Sequence, residues 1–291
     1  MNKMGKLEKR DPSEIFQRQG GMTEREAQYM KQGKEPAAGS VPMSTSKYLN
    51  SPLFSHAFKT MALRRYGEDL PFTWDIPEMT RGIADVTDYF EAAAIVERER
   101  ENNHEFDAWL AARKPLAIEA TDVSECAPGT LGHAVHAFIT QSGMTMRFVH
   151  NVEARSDYEF VMQAIGHSHD LQHLLTGFGP NHAGELALAV MNVTANARLL
   201  SSELAQELSI NNSFVSSAMI ARTMFNYHAG VPLMAEAVRM GIERGEALNR
   251  PLFMIDYSAH LDQPLEDIAT EYGFDRGPGD RWEEASKVLR G

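Results

Sequence analysis

The sequence marks both ends of one long helix. Ser156, Asp157, Tyr158 and Glu159 form a capping box, in which a serine and a glutamate three residues later satisfy the free backbone amides at a helix start. Gly177 supplies the stop, because glycine readily adopts the left-handed conformation that ends many helices. The segment between them is long enough for several turns of about 3.6 residues each, so the fold must accommodate a long helix.

The remaining periodicity is also helical. Apolar residues recur at helical spacing from Tyr48 onward. Further helices are predicted over about residues 83–100, 131–141, 183–208, 212–229, 232–245 and 264–273. Residues 147–150 alone alternate like a strand, and they are too short to build a sheet. Because no alternation of strands and helices, no fixed repeat and no glycine-rich phosphate loop occurs, we predict an all-α protein.

The first 45 residues differ from the rest. Residues 33–42 are rich in glycine, alanine and proline, the composition of a linker, and the helix-start signals at Asp11 and Thr23 introduce only weak apolar faces. We therefore predict an N-terminal extension over residues 1–45, flexible or partly helical. A single helical domain is predicted over 46–275 and a C-terminal tail over 276–291.

The charge balance excludes several classes of function. Asp and Glu number 40 against 28 Lys and Arg, for a net charge of −12, whereas a general nucleic-acid binder needs a basic face. No stretch approaches the ~18 apolar residues of a membrane span, and the N-terminus lacks the apolar run of a signal peptide. The single cysteine, Cys126, allows no intrachain disulfide, which is typical of a reducing compartment.

Metal-ligand residue types gather in the second half of the long helix. His169 and His173 are four residues apart, so they lie one turn above each other on one helix face. Asp170 projects on the side of His173 away from His169, so the three side chains lie within an arc of about 100° around the helix. Imidazole plus carboxylate is a ligand set that suits zinc, and also iron or manganese. Two histidines alone would usually be surface or core residues, and it is the added carboxylates that favour a metal.

The remaining ligand candidate, Glu185, comes from the next helix. The chain turns after Gly177, and at about 1.5 Å rise per residue an antiparallel hairpin brings Glu185 to nearly the height of His173. We predict a divalent-metal site, with Zn²⁺ first and Fe²⁺ or Mn²⁺ as alternatives. Its predicted ligands are His169, Asp170, His173 and Glu185, with a coordination position left open for catalysis.

Four other histidines are weaker candidates. His167 points about 120° from His173 and is expected to support a ligand or to face solvent. His182 lies at the turn, where a helix cap and an extra ligand are both open. His133 and His136 follow a glycine-rich turn and are expected to be packing residues.

These residues resemble the motif of a known family. His169-Asp170-x-x-His173, followed after eleven residues by Glu185, is similar to the HDxxH-x11-E zinc motif of the Coq4 family of ubiquinone biosynthesis proteins. Residues 129–132 (Gly-Thr-Leu-Gly), 157–163 and 251–257 with 264–266 resemble other segments of that family. The resemblance covers about residues 48–275, with a poor match over 48–100 and no counterpart for 1–45 or for the glycines after 276.

The resemblance implies both an activity and its residues. Members are α-helical, often homodimeric, and hold a polyprenyl chain in an apolar slot. They act at C1 of a polyprenyl-hydroxybenzoate ring, where they remove the carboxylate, with replacement by hydroxyl proposed for some. The implied ligands are His169, His173 and Glu185, and Asp170 either completes the set or carries a proton. The methionine-rich helices around Met219 and Met234 are candidates for the slot, with ordinary core as the alternative.

The resemblance also implies partners and a location. The substrate would be a polyprenylated aromatic lipid, and the partners would be other quinone-biosynthesis proteins and a second copy of the chain, with no nucleic acid. The expected location is the cytoplasm, with peripheral contact at the inner face of the membrane, which in a eukaryote is the mitochondrial matrix side.

Three other functions fit parts of the pattern. A metallopeptidase would use His169-Asp170-x-x-His173 as a variant of HExxH, but aspartate is one methylene short of the usual base. A phosphohydrolase of the HD type shares the His-Asp pair and would need an extra ligand such as His133 or His136. A non-catalytic scaffold would bind isoprenoid lipid and gather quinone-biosynthesis enzymes, with a purely structural metal.

Overall fold

A computed structural model describes residues 46–65, 75–114, 116–119, 121–142, 148–149 and 153–289 of the chain. The residues from Ser46 to Gly291 form one compact unit. The predicted extension over residues 1–45 lies outside the described residues, so its helical or flexible character stays a prediction.

The described residues form eleven α-helices, which confirms the predicted all-α class. They are α1 (Pro52–Leu63), α2 (Ile76–Ala84), α3 (Tyr89–Asn102), α4 (His104–Ala112), α5 (Leu131–Ser142), α6 (Asp157–Thr176), α7 (His182–Leu199), α8 (Ser202–Asn226), α9 (Val231–Ala247), α10 (Leu265–Glu271) and α11 (Asp280–Ser286). Short 3₁₀ turns occupy His228–Gly230, Leu252–Met254, Tyr257–His260 and Lys287–Leu289.

The strand-like segment forms only a minimal pairing. β1 (Ala117–Ile118) and β2 (Phe148–Val149) make a two-stranded antiparallel ladder of two residues each, so the alternation seen at residues 147–150 builds no larger sheet in the described part of the chain.

Helix α6 begins and ends where the sequence indicates. The Ser156 side chain accepts a hydrogen bond from the Glu159 amide, and Gly177 closes the helix at φ 70°, in the left-handed region. Helix α7 starts only a few residues later, because the Asn181 side chain caps it by accepting from the Gly184 amide. The predicted α6–α7 hairpin is therefore present.

Helix α7 lies in the main hydrophobic core of the unit that begins at Ser46. Most of its residues are buried, and it packs against both α8 and α9. The approach to α9 depends on two glycines there: a Cβ at Gly241 would lie 2.6 Å from the Ala187 carbonyl oxygen, and one at Gly245 would lie 2.7 Å from that of Met191. The close α7–α9 contact fixes the helix that carries Glu185.

The predicted helix over residues 183–208 is wrong in its extent. The chain leaves the helical conformation at Leu200 and Ser201, and α8 then runs without interruption across the predicted gap near residue 210. Ser201 explains the break, because its side chain accepts from the Leu204 amide as an N-cap and its own amide donates to the buried Glu99 carboxylate.

The methionine-rich helices divide between core and surface. Met219, Met234 and Met240 belong to the main hydrophobic core. Phe225, at the end of α8, is 73% exposed. The slot suggested for these helices stays a prediction, since their buried methionines have ordinary packing roles here.

Candidate metal centre

The α6–α7 turn is tight because small residues line it. Gly184, in the first turn of α7, lies against Gly179, and a Cβ there would overlap the Gly179 carbonyl oxygen. This contact places the start of α7 directly beside the end of α6. Glu185, the next residue, therefore faces the last two turns of α6.

Three side chains converge across this turn. The Nε2 atoms of His169 and His173 are 3.2 Å apart, with ring centroids at 4.7 Å and planes nearly perpendicular. Glu185 reaches both rings: Oε2 lies 3.5 Å from His169 Nε2, and Oε1 lies 3.3 Å from His173 Nε2. Potential ligand atoms of these three residues all lie within 4.8 Å of one another. The pairing of i, i+4 histidines with Glu185 is the arrangement expected from the sequence.

Both ring nitrogens of His173 have close polar neighbours. Its Nδ1 lies 2.6 Å from the Phe178 carbonyl oxygen, which can only accept, so Nδ1 carries a proton. Its Nε2 faces the Glu185 carboxylate, also an acceptor. The His169 Nε2 lies 3.2 Å from the same nitrogen, and the ring is only 5% exposed, so neighbouring groups hold both nitrogens of His173.

Charges within the site shift the pKa values of Glu185 and His169. Burial raises the pKa of Glu185, but the hydrogen bonds and charge of His169 and His173 outweigh it and bring that pKa down to about 2. Desolvation lowers the pKa of His169, and Glu185, with a smaller contribution from Asp170, overcomes this and raises it. An anionic carboxylate thus faces two imidazoles.

The donor set fits a divalent metal. Two imidazole nitrogens and a carboxylate oxygen suit Zn²⁺, and also Fe²⁺ or Mn²⁺. His173 has the outer hydrogen bond that metal-bound histidines usually make, because Nδ1–H donates to the Phe178 carbonyl and leaves Nε2 for an ion. The His169 ring is 45% exposed, so one side of the site is open to water or substrate. Zinc and its alternatives stay predictions.

Asp170 does not join the three-residue group. It lies outside the cluster of His169, His173 and Glu185, although its charge acts on His169. It faces a neighbouring cavity instead. Of the two roles left open for Asp170, this placement agrees with a proton carrier better than with a ligand.

The remaining histidines also lie outside the group. His167 is exposed, and His133 and His136 are on α5 without joining any cluster of metal-ligand types among the described residues. His182 is buried and pairs its Nε2 with Thr223 Oγ1 at 3.1 Å and its Nδ1 with Arg222 at 3.2 Å. Both ring nitrogens of His182, at the start of α7, therefore already have hydrogen-bond partners on α8.

A cavity of about 300 Å³ adjoins the centre. His173 and Asp170 line it on the side of α6, Phe138 and Leu174 give it apolar walls, and Arg276 also lines it. Its volume is at the lower end of the range for small-molecule sites. Arg276 and the residues after it fall in the predicted tail, so sequence reasoning missed their contribution. The one signal was Trp282, a large apolar residue in an otherwise polar segment.

No helix among the described residues is long and apolar enough to cross a membrane. Peripheral membrane contact, the cytoplasmic or inner-face location and the homodimer stay predictions.

Comparison with known proteins identifies the family. The sequence profile described as "Coenzyme Q (ubiquinone) biosynthesis protein Coq4" matches residues 109–278, more than half of the chain. Among curated proteins, none matches the sequence. A crystal structure from Nostoc punctiforme, of a protein described as a candidate ubiquinone biosynthesis protein, has 18% identity and a TM-score of 0.57. The match covers 78% of this chain and 96% of that one, so the two share a fold.

The matched region contains helices α5 to α10, and thus the whole three-residue group. With the all-α fold and the motif in place, the chain belongs to the Coq4 family of coenzyme Q (ubiquinone) biosynthesis proteins.

Proposed function

We propose that this chain catalyses a metal-dependent decarboxylation in ubiquinone biosynthesis, at C1 of a polyprenyl-hydroxybenzoate. The observation that supports it is the adjacency of the His169–His173–Glu185 group to a cavity with apolar walls. An aromatic acid bound there would have its charged end beside the two imidazoles and its ring against Phe138 and Leu174.

The proposed ligands are His169, His173 and Glu185. A bound divalent ion supplies Lewis acidity, which stabilises the negative charge that develops as carbon dioxide leaves. The Phe178 carbonyl holds the His173 ring in one orientation through Nδ1. The apolar walls limit the water around the reacting ring, which strengthens every charge interaction there.

The reaction needs one proton and no oxidant. The bond between C1 and the carboxylate breaks, its electron pair stays on the ring, a proton bonds to C1, and carbon dioxide is released. Asp170 lines the cavity beside His173 and is partly exposed, so we assign to its carboxylate the relay of this proton from solvent to C1. We propose no step for replacement by hydroxyl, which would require an oxidant.

The first prediction concerns Glu185→Gln, which keeps the size of the side chain and removes its charge. We expect bound metal to fall to background and decarboxylation to drop by about 100-fold or more, because an anionic first ligand is lost. Elemental analysis measures the metal, and mass spectrometry follows a short-chain prenyl-hydroxybenzoate in detergent. Glu246→Gln, on an exposed position of α9, is the matched control and should change neither quantity.

The outcomes also separate the alternatives. Decarboxylation by metal-free wild-type protein would contradict the proposal. If the pure, metal-loaded chain binds prenylated lipid without turnover, the scaffold function is favoured instead. Metal-dependent cleavage of a phosphate ester would favour the phosphohydrolase, although neither His133 nor His136 joins the group as that function requires.

A further inference from the structure

The C-terminal segment, defined as residues 276–289, lies against the end of α6. Arg276 donates through Nε to the Leu175 carbonyl and through Nη2 to the Leu174 carbonyl, both at 2.9 Å. The Gly277 amide donates to the Thr176 carbonyl at 2.6 Å. The last carbonyls of α6, which lack partners within the helix, are thereby bound by a segment about a hundred positions further along the chain.

The same segment holds Phe178 by its ring. Trp282 is 1% exposed and stacks on Phe178, with centroids 5.6 Å apart and planes inclined by 8°. Gly277 lies on the ring as well, and a Cβ there would come within 2.5 Å of Phe178 Cδ1. Two residues of the C-terminal segment therefore contact the Phe178 ring. Its carbonyl is the group that accepts from His173 Nδ1.

The C-terminal segment also contacts Asn181, the residue that caps α7. Ser286 Oγ donates to Asn181 Oδ1 at 3.0 Å, and the same oxygen accepts from the Gly184 amide to cap α7. Asn181 and Ser286 are both buried. The C-terminal segment therefore contacts the residue that orients His173 and the residue that starts the helix of Glu185.

We propose that the C-terminal segment is a positioning part of the metal centre, in which Trp282 and Gly277 fix the Phe178 carbonyl and through it the orientation of the His173 ring. This inference rests on the proposed function, since a ligand whose ring is free to rotate binds a metal more weakly. Outer hydrogen bonds of this kind typically change metal affinity by about 10- to 100-fold. Trp282 touches neither substrate nor ion, so it acts only through Phe178.

The test compares Trp282→Leu with Trp282→Phe. Leucine removes the stacked ring, and we expect the Kd for Co²⁺, measured by competition with a chelator, to rise by about tenfold or more. Phenylalanine keeps an aromatic face and should restore most of the affinity. Phe106→Leu is the matched control, because Phe106 is also fully buried but belongs to a separate core cluster. It should lower stability without changing the Kd.

A second readout does not depend on metal. In metal-free protein labelled with ¹⁵N-histidine, the His173 Nδ1–H should give a downfield proton signal protected from exchange, because it is buried and bonded to Phe178. The signal is assigned by its absence in His173→Gln. We expect Trp282→Leu and Gly277→Ala to broaden or remove it, whereas Phe106→Leu should leave it unchanged. Gly277→Ala perturbs the same contact by insertion, so the test stands if Trp282→Leu fails to fold.

The results distinguish the positioning role from the proposed function. An unchanged His173 signal in the folded Trp282 or Gly277 variants, or an equal loss in Phe106→Leu, overturns the positioning role. Wild-type protein that takes no metal while its His173 signal still responds to Trp282 overturns the proposed function and keeps the positioning role. Weaker metal binding together with a lost signal supports both.

Discussion

At the scale of single residues, the proton positions at the start of α7 can be assigned from chemistry. Arginine can only donate, so His182 Nδ1 must accept from Arg222. The ring proton then lies on Nε2 and is donated to Thr223 Oγ1, whose own hydroxyl donates to the Met219 carbonyl. His182 is therefore a neutral imidazole in a directed chain of hydrogen bonds, three residues before Glu185.

Burial, with a smaller contribution from the positive charge of Arg222, lowers the pKa of His182 to about 3. Between pH 6.5 and this value the unfolded chain binds a proton at His182 and the folded chain does not. Proton binding therefore stabilises the unfolded state as the pH falls, so the contribution of His182 to the stability of the fold decreases from pH 6.5 downward.

The pH prediction uses His182→Gln, which cannot titrate. At pH 7 we expect the variant to be less stable, by about 1–3 kcal/mol, because it disturbs buried hydrogen bonds. From pH 7 to pH 5, however, the free energy of unfolding of the wild type should fall by about 2 kcal/mol more than that of the variant. Urea unfolding at both pH values, with a chelator present, measures the difference. Equal losses in the two proteins would show that His182 titrates normally.

At the scale of elements, the centre depends on the fit between helices as well as on its ligands. Gln172, beside His173 in sequence, accepts from Asn192 on α7 at 2.9 Å and donates to Ser168 at 2.8 Å. This partly buried hydrogen bond between Asn192 and Gln172 fixes the position of α7 along α6. The glycines of α9 add a second constraint by allowing it to approach α7 closely.

Two glycine substitutions should have opposite effects on stability. Gly166→Ala, on an exposed position of α6 where a Cβ meets nothing within 4 Å, should stabilise by about 0.5–1 kcal/mol, because alanine restricts the unfolded chain and favours the helix. Gly245→Ala should destabilise by about 1–3 kcal/mol, because its Cβ would meet Met191 and Thr194 of α7. Urea unfolding measures both. A stabilising Gly245→Ala would mean that α7 and α9 are further apart than described.

Local rules predicted the hairpin well and the distant contacts poorly. The Ser156 cap, the Gly177 stop and the spacing from His173 to Glu185 all lie within one stretch of chain, so periodicity and capping chemistry suffice. The break at Ser201 was missed because it depends partly on Glu99, about a hundred residues away. The stacking of Trp282 on Phe178 was missed for the same reason, since no local pattern connects the two positions.

At the scale of the whole molecule, the centre is held by three parts of the chain. Helix α6 supplies His169 and His173, α7 supplies Glu185, and the C-terminal segment fixes the turn between them. The unfolded chain does not hold this arrangement, so an ion that needs all three ligands binds the folded state alone. Binding of such an ion would then stabilise the fold by mass action.

The last prediction is a thermal shift that separates a catalytic from a structural metal. Free Zn²⁺ at 100 times its Kd should add about 2.7 kcal/mol of stability. At roughly 2–4 °C per kcal/mol for a domain of this size, Tm should rise by about 5–10 °C, and a chelator should reverse the rise. Glu185→Gln should show a much smaller shift. The metal-free protein should keep its helical circular dichroism, because the main core around Leu186 and Met191 is packed by apolar contacts without any ligand atom. Loss of helicity on metal removal would contradict the catalytic assignment and favour a metal that serves only the fold.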